Sequence, residues 1–338
     1  VNWDIVIGHT DTIQNLKAML GAGRMPHALL FAGPEGIGKT LVANILSAAL
    51  LCSDSIRPCG SCLSCRQMIQ GVHPDFTLVQ PDGASIRIEQ IRALQHQVSL
   101  VPYLAGRRVI IIENSEKMTA QAANSLLKIL EEPPEHAVFI LIAAGKQMLL
   151  DTVLSRCLVV PFYPVPWQQL AVALVDRGYP QEQAEVAARL GNGRMGTALH
   201  LLEPDGMRLR DKAFEFLTAL HSSENLLWTA PAEWEKFNRP EIIAILRHCS
   251  LLLRDMLVYS LVLDTAVVFN LDLSRQLAEQ AAYWRQTSLL SAFKEITIAE
   301  KAVYANGNIR LIIEALLIKL RELAKGGMHV AGSSWSTI

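Results

Sequence analysis

The chain has 338 residues, which at ~100–200 residues per domain predicts two or three domains and excludes a single small one. Residues of the AVILMFWYC set make up 51% and charged residues 19%, enough apolar surface for a packed core and too much for wholesale disorder. With 31 Lys plus Arg against 32 Asp plus Glu and a formal net charge of -1, bulk charge gives no argument for nucleic-acid affinity, so any such contact needs a local patch.

The segment Val1–Thr12 carries Asp4 and Asp11 with neither a basic n-region nor an apolar h-region. That predicts a cytoplasmic protein without a secretory signal. Up to about residue 163, helical patterns alternate with short β-branched, apolar runs. The expected strands are His27–Ala32, Phe76–Gln80, Arg108–Glu113, Ala137–Ala143 and Leu158–Phe162. The near-continuous hydrophobicity of most of them predicts a parallel five-stranded sheet covered by helices on both faces, an α/β class of fold.

After the first of these strands, Gly33-Pro34-Glu35-Gly36-Ile37-Gly38-Lys39-Thr40 satisfies G-x-x-x-x-G-K-[ST] and opens a helical run over Leu41–Leu51. Strand, glycine loop and helix together make a phosphate cradle. Gly33, Gly36 and Gly38 let successive backbone N–H groups converge on an anion, Lys39 reaches the β and γ phosphates, and Thr40 is placed to ligate Mg²⁺. ATP with Mg²⁺ is the expected ligand.

Cys52, Cys59, Cys62 and Cys65 follow within one short segment, with Pro58 and Gly60 available for tight turns. Four thiolates are what a closed tetrahedral zinc site requires, and structural zinc is the favoured reading. An iron–sulfur cluster and redox thiols are the alternatives. His73 is read as an ordinary loop residue, and Cys157 and Cys249 stand alone.

Hydrolysis needs an acid for Mg²⁺ and a group that orients water, both at the end of a later strand. The suitable strand, Val109–Ile112, is followed by Glu113-Asn114-Ser115-Glu116. Glu113 supplies the acid, but the water-orienting carboxylate is replaced by Asn114, and an amide cannot accept a proton from attacking water. Glu116 is expected to leave the strand end. Thr119 is the expected N-cap of a helix carrying Ala122, Ala123, Leu126, Leu127 and Leu130, stopped by Pro133-Pro134. Ser155-Arg156-Cys157 should lie on the surface, where Arg156 is either a solvated charge or an arginine finger for a neighbour's nucleotide.

Beyond about Pro164 the strand signal ends. Short helices over 168–202, broken at Gly178 and at Gly191–Gly196, suggest a small helical lid, and long helices from Gly206 to Leu323 an all-helical domain. The run Ile242–Leu263 is interrupted by Arg247, Arg254 and Asp255, so it reads as a buried helix and not a membrane span. The expected division is 1–163 with its 52–65 insert, 164–205, 206–325, and a flexible tail over 326–338.

The P-loop, the four-cysteine insert, Ala123-Asn124-Ser125-Leu126-Leu127-Lys128 leading into Leu130-Glu131-Glu132-Pro133-Pro134, and Ser155-Arg156-Cys157 together resemble the bacterial clamp-loader AAA+ subunits of DNA polymerase III. The resemblance is strong over residues 1 to about 205; the C-terminal helices fit the family's collar domain more loosely. Three departures from the motor subunits stand out. They are Glu113-Asn114 at Walker B, Ala143-Ala144-Gly145 where motors place a polar sensor, and Gly196 where the second sensor arginine falls. The resemblance implies a stator with weak or absent intrinsic ATPase, offering Arg156 in trans to a gamma/tau motor. It would work in a hetero-pentamer with motor and delta subunits that loads a sliding clamp onto primer-template DNA, with no membrane contact. Val6–His9 then correspond to the segment packing near adenine. The alternatives are a gamma/tau-type motor using Glu113 and Glu116, and a DNA-binding AAA+ remodeller using Arg107, Arg108 and Lys128.

Overall fold

The structure is a computed structural model describing residues 2–222, 225–262 and 267–325; the expected tail over 326–338 lies outside the described residues. Compactness divides the chain into two units. One runs to Ala184 and takes in Gly191–Leu199; the other comprises Glu185–Leu190 and the chain from His200 onward.

The first unit is built on five parallel strands, β1 (Ala28–Ala32), β2 (Phe76–Val79), β3 (Arg108–Ile112), β4 (Ala137–Ala143) and β5 (Leu158–Pro161), in the order β2-β3-β4-β1-β5. All five expected strands are present, each within a residue of its expected ends. The three inner strands β1, β3 and β4 are buried along their whole length, whereas the edge strands β2 and β5 are partly exposed. Alternation across the pleat sorts their side chains into two cores. Leu29, Phe31, Val109, Ile111, Val138 and Ile140 pack with α1 (Thr10–Gly21) and α2 (Lys39–Leu51). Leu30, Ile110, Ile112, Phe139 and Leu141 pack with α4 (Ile88–Val98) and α5 (Ala120–Glu131). Each fully buried side chain of this kind contributes ~1.5–3 kcal/mol relative to exposure.

Between them, α3 (Leu63–Gln70) follows α2, and α6 (Asp151–Leu154) precedes β5. Thr119 caps α5 as its sequence suggests, its Oγ1 accepting the Ala122 N–H at 3.2 Å. After β5 come α7 (Trp167–Val175), α8 (Gln181–Leu190) and α9 (Met195–Leu201). Just before β2, the fully buried Asp75 accepts the N–H groups of Tyr103, Leu104 and Ala105 at 2.6, 2.7 and 3.0 Å and faces Arg108 at 3.6 Å. Burial opposes ionisation of Asp75, but the three N–H donors hold its pKa below the ordinary carboxylate value.

The second unit is helical, with α10 (Arg208–Ser222), α11 (Leu226–Trp234), α12 (Arg239–Leu261), α13 (Ser274–Ala281), α14 (Gln286–Tyr304) and α15 (Ile309–Lys325). One core joins them through Leu217, Leu246, Leu252, Ile296, Ile313 and Leu317. A reciprocal capping box starts α12: Asn238 Oδ1 accepts the Glu241 N–H and Glu241 Oε2 accepts the Asn238 N–H, each at 2.9 Å. The buried Asp255 on α12 accepts from Asn270 N–H at 2.9 Å and Asn270 Nδ2 at 2.7 Å and pairs with Arg254 at 2.8 Å. Among the described residues no helix is long and apolar enough to cross a membrane.

Candidate nucleotide cleft, cysteine cluster and arginine

β1 sits between β4 and β5, so the loop leaving its C-terminal end emerges at the strand ends, where open parallel sheets bind ligands. The glycines of that loop are required by contact and by backbone. A Cβ at Gly33 would lie 2.5 Å from the Phe162 carbonyl oxygen, and Gly36 and Gly38 have φ of +77° and +111°. Gly38 caps α2 without any side-chain hydrogen bond, leaving the first-turn N–H groups of α2 to face an anion. Lys39 is buried, its Nζ donating to the carbonyls of Gly33 at 2.5 Å and Pro34 at 2.8 Å. Burial lowers its pKa, opposed by the carboxylates of Glu116 and Glu35. Thr40 is exposed beside it.

These residues open on a cleft of about 420 Å³ whose far wall includes Glu113, Asn114, Glu116, Ala143, Ala144 and Gly196. Glu113 Oε2 accepts from Gln80 Nε2 at 2.7 Å. Asn114 takes φ of +49°, a left-handed conformation tolerated by Asn, and turns the chain into a single 3₁₀ turn, Ser115–Lys117. Glu116 does leave the strand, but that turn brings its carboxylate back into the cleft. Its Oε1 faces the Ala144 N–H at 3.4 Å, and its Oε2 is buried without a partner among the described residues. At the end of β4, Ala143 and Ala144 offer no side-chain donor. Gly196 lines the cleft; Arg194, two residues before it, does not, and its Nε donates to the Gly191 carbonyl at 3.2 Å. The glycine cradle, uncapped helix and buried lysine fit a nucleotide's phosphates.

In the segment that the resemblance assigns to adenine, His9 Nε2 lies 3.2 Å from the Ile37 carbonyl oxygen, and its ring packs on Phe162 at 4.9 Å. Burial lowers the His9 pKa, with the Ile37 contact opposing. Neutral imidazole is therefore favoured there.

Cys52, Cys59, Cys62 and Cys65 converge, all four sulfurs lying within 4.8 Å of one another. Cys52–Cys62 and Cys59–Cys65 are 3.9 Å apart, close to the ~3.8 Å edge of a tetrahedron with ~2.3 Å metal–sulfur bonds. Backbone N–H groups point at the sulfurs, from Asp54 to Cys52 at 3.4 Å, Cys62 to Cys59 at 3.3 Å and Cys65 to Cys62 at 3.4 Å. The N–H groups of Cys62 and Ser61 lower the Cys59 pKa to about 6, while burial pushes Cys65 up to about 12. This donor set fits zinc. Cys52 ends α2 and Cys62 caps α3, so the cluster ties two helix ends together. His73 takes no part: buried, its Nδ1 accepts the Asp75 N–H at 3.1 Å.

Arg156 follows α6 and is not among the residues lining its own chain's cleft. Its Nη2 meets Glu131 Oε1 at 2.7 Å, and its Nη1 donates to the Thr152 carbonyl at 2.9 Å and Ser155 Oγ at 3.1 Å. The side chain is one-third exposed and paired with a half-exposed carboxylate. Arg108, expected in one alternative to contact DNA phosphate, is buried against Asp75 and has no such freedom. The sequence reading missed two residues. Glu131 was visible in its motif but not as the partner of Arg156, and Arg177, which lines the cleft, belongs to no motif; only Gly178 after it, marking a helix end, signals its setting.

The sheet order, the phosphate loop at the end of β1 and the helices that follow define an AAA+ nucleotide-binding fold. A DNA polymerase III, gamma subunit-related protein from Thermotoga maritima shares the fold at a TM-score of 0.50 and 18% identity, over 91% of this chain and 99% of that one. The sequence model of the family described as DNA polymerase III, delta subunit, matches residues 8–166. DNA polymerase III subunit tau of Escherichia coli is 39% identical over 156 residues, 45% of this chain and 24% of its own. DNA polymerase III subunit delta′ of Bacillus subtilis is 32% identical over 304 residues, 88% of this chain and 92% of its own. The chain belongs to the DNA polymerase III subunit delta′ family, the delta prime subunits of the clamp loader.

Proposed function

We propose that this delta′ subunit is a stator that binds but does not turn over nucleotide, and that acts on a neighbour's ATP. Gly33, Gly36, Gly38, Lys39 and Thr40 would hold the phosphates of ATP, and Glu113 with Thr40 its Mg²⁺. When bound, the ion neutralises phosphate charge. One observation carries the reading: a complete phosphate loop faces a wall in which Asn114, Ala144 and Gly196 stand where a motor needs a carboxylate and two sensors. Arg156, outside that cleft and held by Glu131, is then available in trans. The partners are gamma/tau motor and delta subunits in a hetero-pentamer that loads the sliding clamp onto primer-template DNA. Zinc in the cysteine cluster is structural. The domains are 1–163, 164–205 and 206–325, and the setting is the cytoplasm, away from membrane.

The test is reconstitution with motor and delta subunits. Arg156→Ala should leave assembly intact and lower ATP turnover at the adjoining motor site by ~10³-fold, since a planar guanidinium fork spreads over the transferring phosphoryl group. Arg156→Lys should restore little. Undiminished turnover at that interface in the Ala variant sinks the trans mechanism. A second reading, the gamma/tau-type motor, is favoured by one observation, the Glu116 carboxylate in the cleft. Turnover by the purified chain, lost in both Lys39→Ala and Glu116→Gln, would replace the stator with that motor.

A further inference from the structure

The residues that follow β5 contribute Arg177, Met195, Gly196 and Leu199 to the cleft wall. A side chain at Gly196 would crowd the backbone of Gly36. The Gly196 N–H donates to the Gly36 carbonyl oxygen at 2.8 Å, and a Cβ would lie 3.0 Å from that oxygen and 3.1 Å from Gly36 Cα. A cation from this wall therefore has to come from elsewhere, and among its described residues Arg177 is the one that carries positive charge.

Arg177 is held by backbone and left free by its side chain. Three backbone bonds close α7 around it: Arg177 N–H to Leu174 at 3.1 Å, Gly178 N–H to Val175 at 2.8 Å, and Tyr179 N–H to Leu174 at 3.2 Å. Gly178 takes φ of +93°, the left-handed turn that ends helices. Among the described residues its guanidinium has no ion-pair partner, and the residue is exposed. The cleft also holds Glu35, Glu113 and Glu116 against Lys39 and Arg177. With Lys39 drawn to the loop carbonyls at its base, a triphosphate with one Mg²⁺ keeps more negative charge than Lys39 balances.

We propose that Arg177 contacts the terminal phosphate of a bound nucleoside triphosphate, taking over the role that Gly196 cannot fill and making the cleft prefer triphosphate to diphosphate. The inference rests on the nucleotide-binding reading above. The plainer role for Arg177 is a cation at a helix C-terminus, favoured by the macrodipole alone, which has no preference between nucleotides.

Binding of Mg·ATP and of Mg·ADP to the full chain, measured by calorimetry, separates them. Arg177→Gln is expected to weaken Mg·ATP by about tenfold or more, as loss of a charge-assisted hydrogen bond does, and Mg·ADP by less than about threefold. Arg177→Lys should recover part of the preference. Arg275→Gln, which removes the same charge from an exposed site on α13, should change neither. Unchanged affinity in Arg177→Gln, or equal losses for the two nucleotides, overturns the proposal. If the wild-type chain binds and Lys39→Ala does not, while Arg177→Gln matches wild type, only this inference falls. If the wild-type chain binds neither nucleotide, the nucleotide-binding reading falls and takes this one with it.

Discussion

In the α/β unit, buried polar groups converge on loops and a cleft: Lys39 on the phosphate loop, and Asp75 with Arg108 on the segment before β3. In the helical unit the buried Arg210 and Asp255 reach instead between helices and their connections, Arg210 to Asp272 at 2.8 Å and Asp255 to Asn270. The first arrangement spends buried polarity on shaping surfaces, the second on fixing a core. Changes at Lys39 should therefore move ligand affinity, and changes at Arg210 or Asp255 folding.

The largest separation should come from Asp255→Ala. It leaves the N–H groups of Phe269 and Asn270 and the Asn270 side-chain amide without their acceptor, and each buried donor left unsatisfied costs ~1–3 kcal/mol. Chemical denaturation should show that loss while metal content stays unchanged; a loss below ~1 kcal/mol would mean that the helical unit does not depend on its buried polarity.

Next in size is a pH effect. His248 on α12 is pulled down to about 4, by burial first and then by the Arg210 guanidinium, with Asp211 opposing. Its folded pKa lies below its unfolded value, so between about 6.5 and about 4 the unfolded chain binds more protons and stability falls as pH falls. Between pH 7 and pH 5 the contribution is about 2 kcal/mol. His221 is also lowered by burial and shares the window, so the contrast that isolates His248 is with His248→Gln, whose denaturation midpoint should change less with pH. Parallel pH profiles for the two chains would remove His248 from the account.

The smallest global effect belongs to metal removal. The cysteine cluster joins the end of α2 to the start of α3, while most of the core lies elsewhere. Chelation should release about one zinc per chain and speed amide exchange over 52–65, with ~1 kcal/mol or less of global destabilisation. Iron in the released metal, or unfolding of the whole chain, would contradict this.

What the sequence disclosed follows the range of the interactions involved. The phosphate loop and the four cysteines were legible because each is contiguous, so spacing and residue type already state the chemistry. The inner strands were legible because β1, β3 and β4 are apolar on both faces. Glu116 was misjudged because its direction depends on the left-handed turn at Asn114, which strand periodicity does not encode. The Glu131–Arg156 and Asp75–Arg108 pairs join residues 25 and 33 positions apart; only the packed sheet brings them together. Arg177 lay hidden for the same reason.

Asp75 has one more consequence. Tyr103 and Val101 are 85% and 83% exposed, the kind of display that ordinarily marks a loop open to a protease with a taste for aromatics. Cleavage after Tyr103, however, requires that stretch to straighten into an extended substrate, and the N–H groups of Tyr103, Leu104 and Ala105 are all held by one buried carboxylate. The loop shows its side chains to solvent while its main chain stays locked, so chymotrypsin should meet an accessible tyrosine and leave the bond beside it uncut.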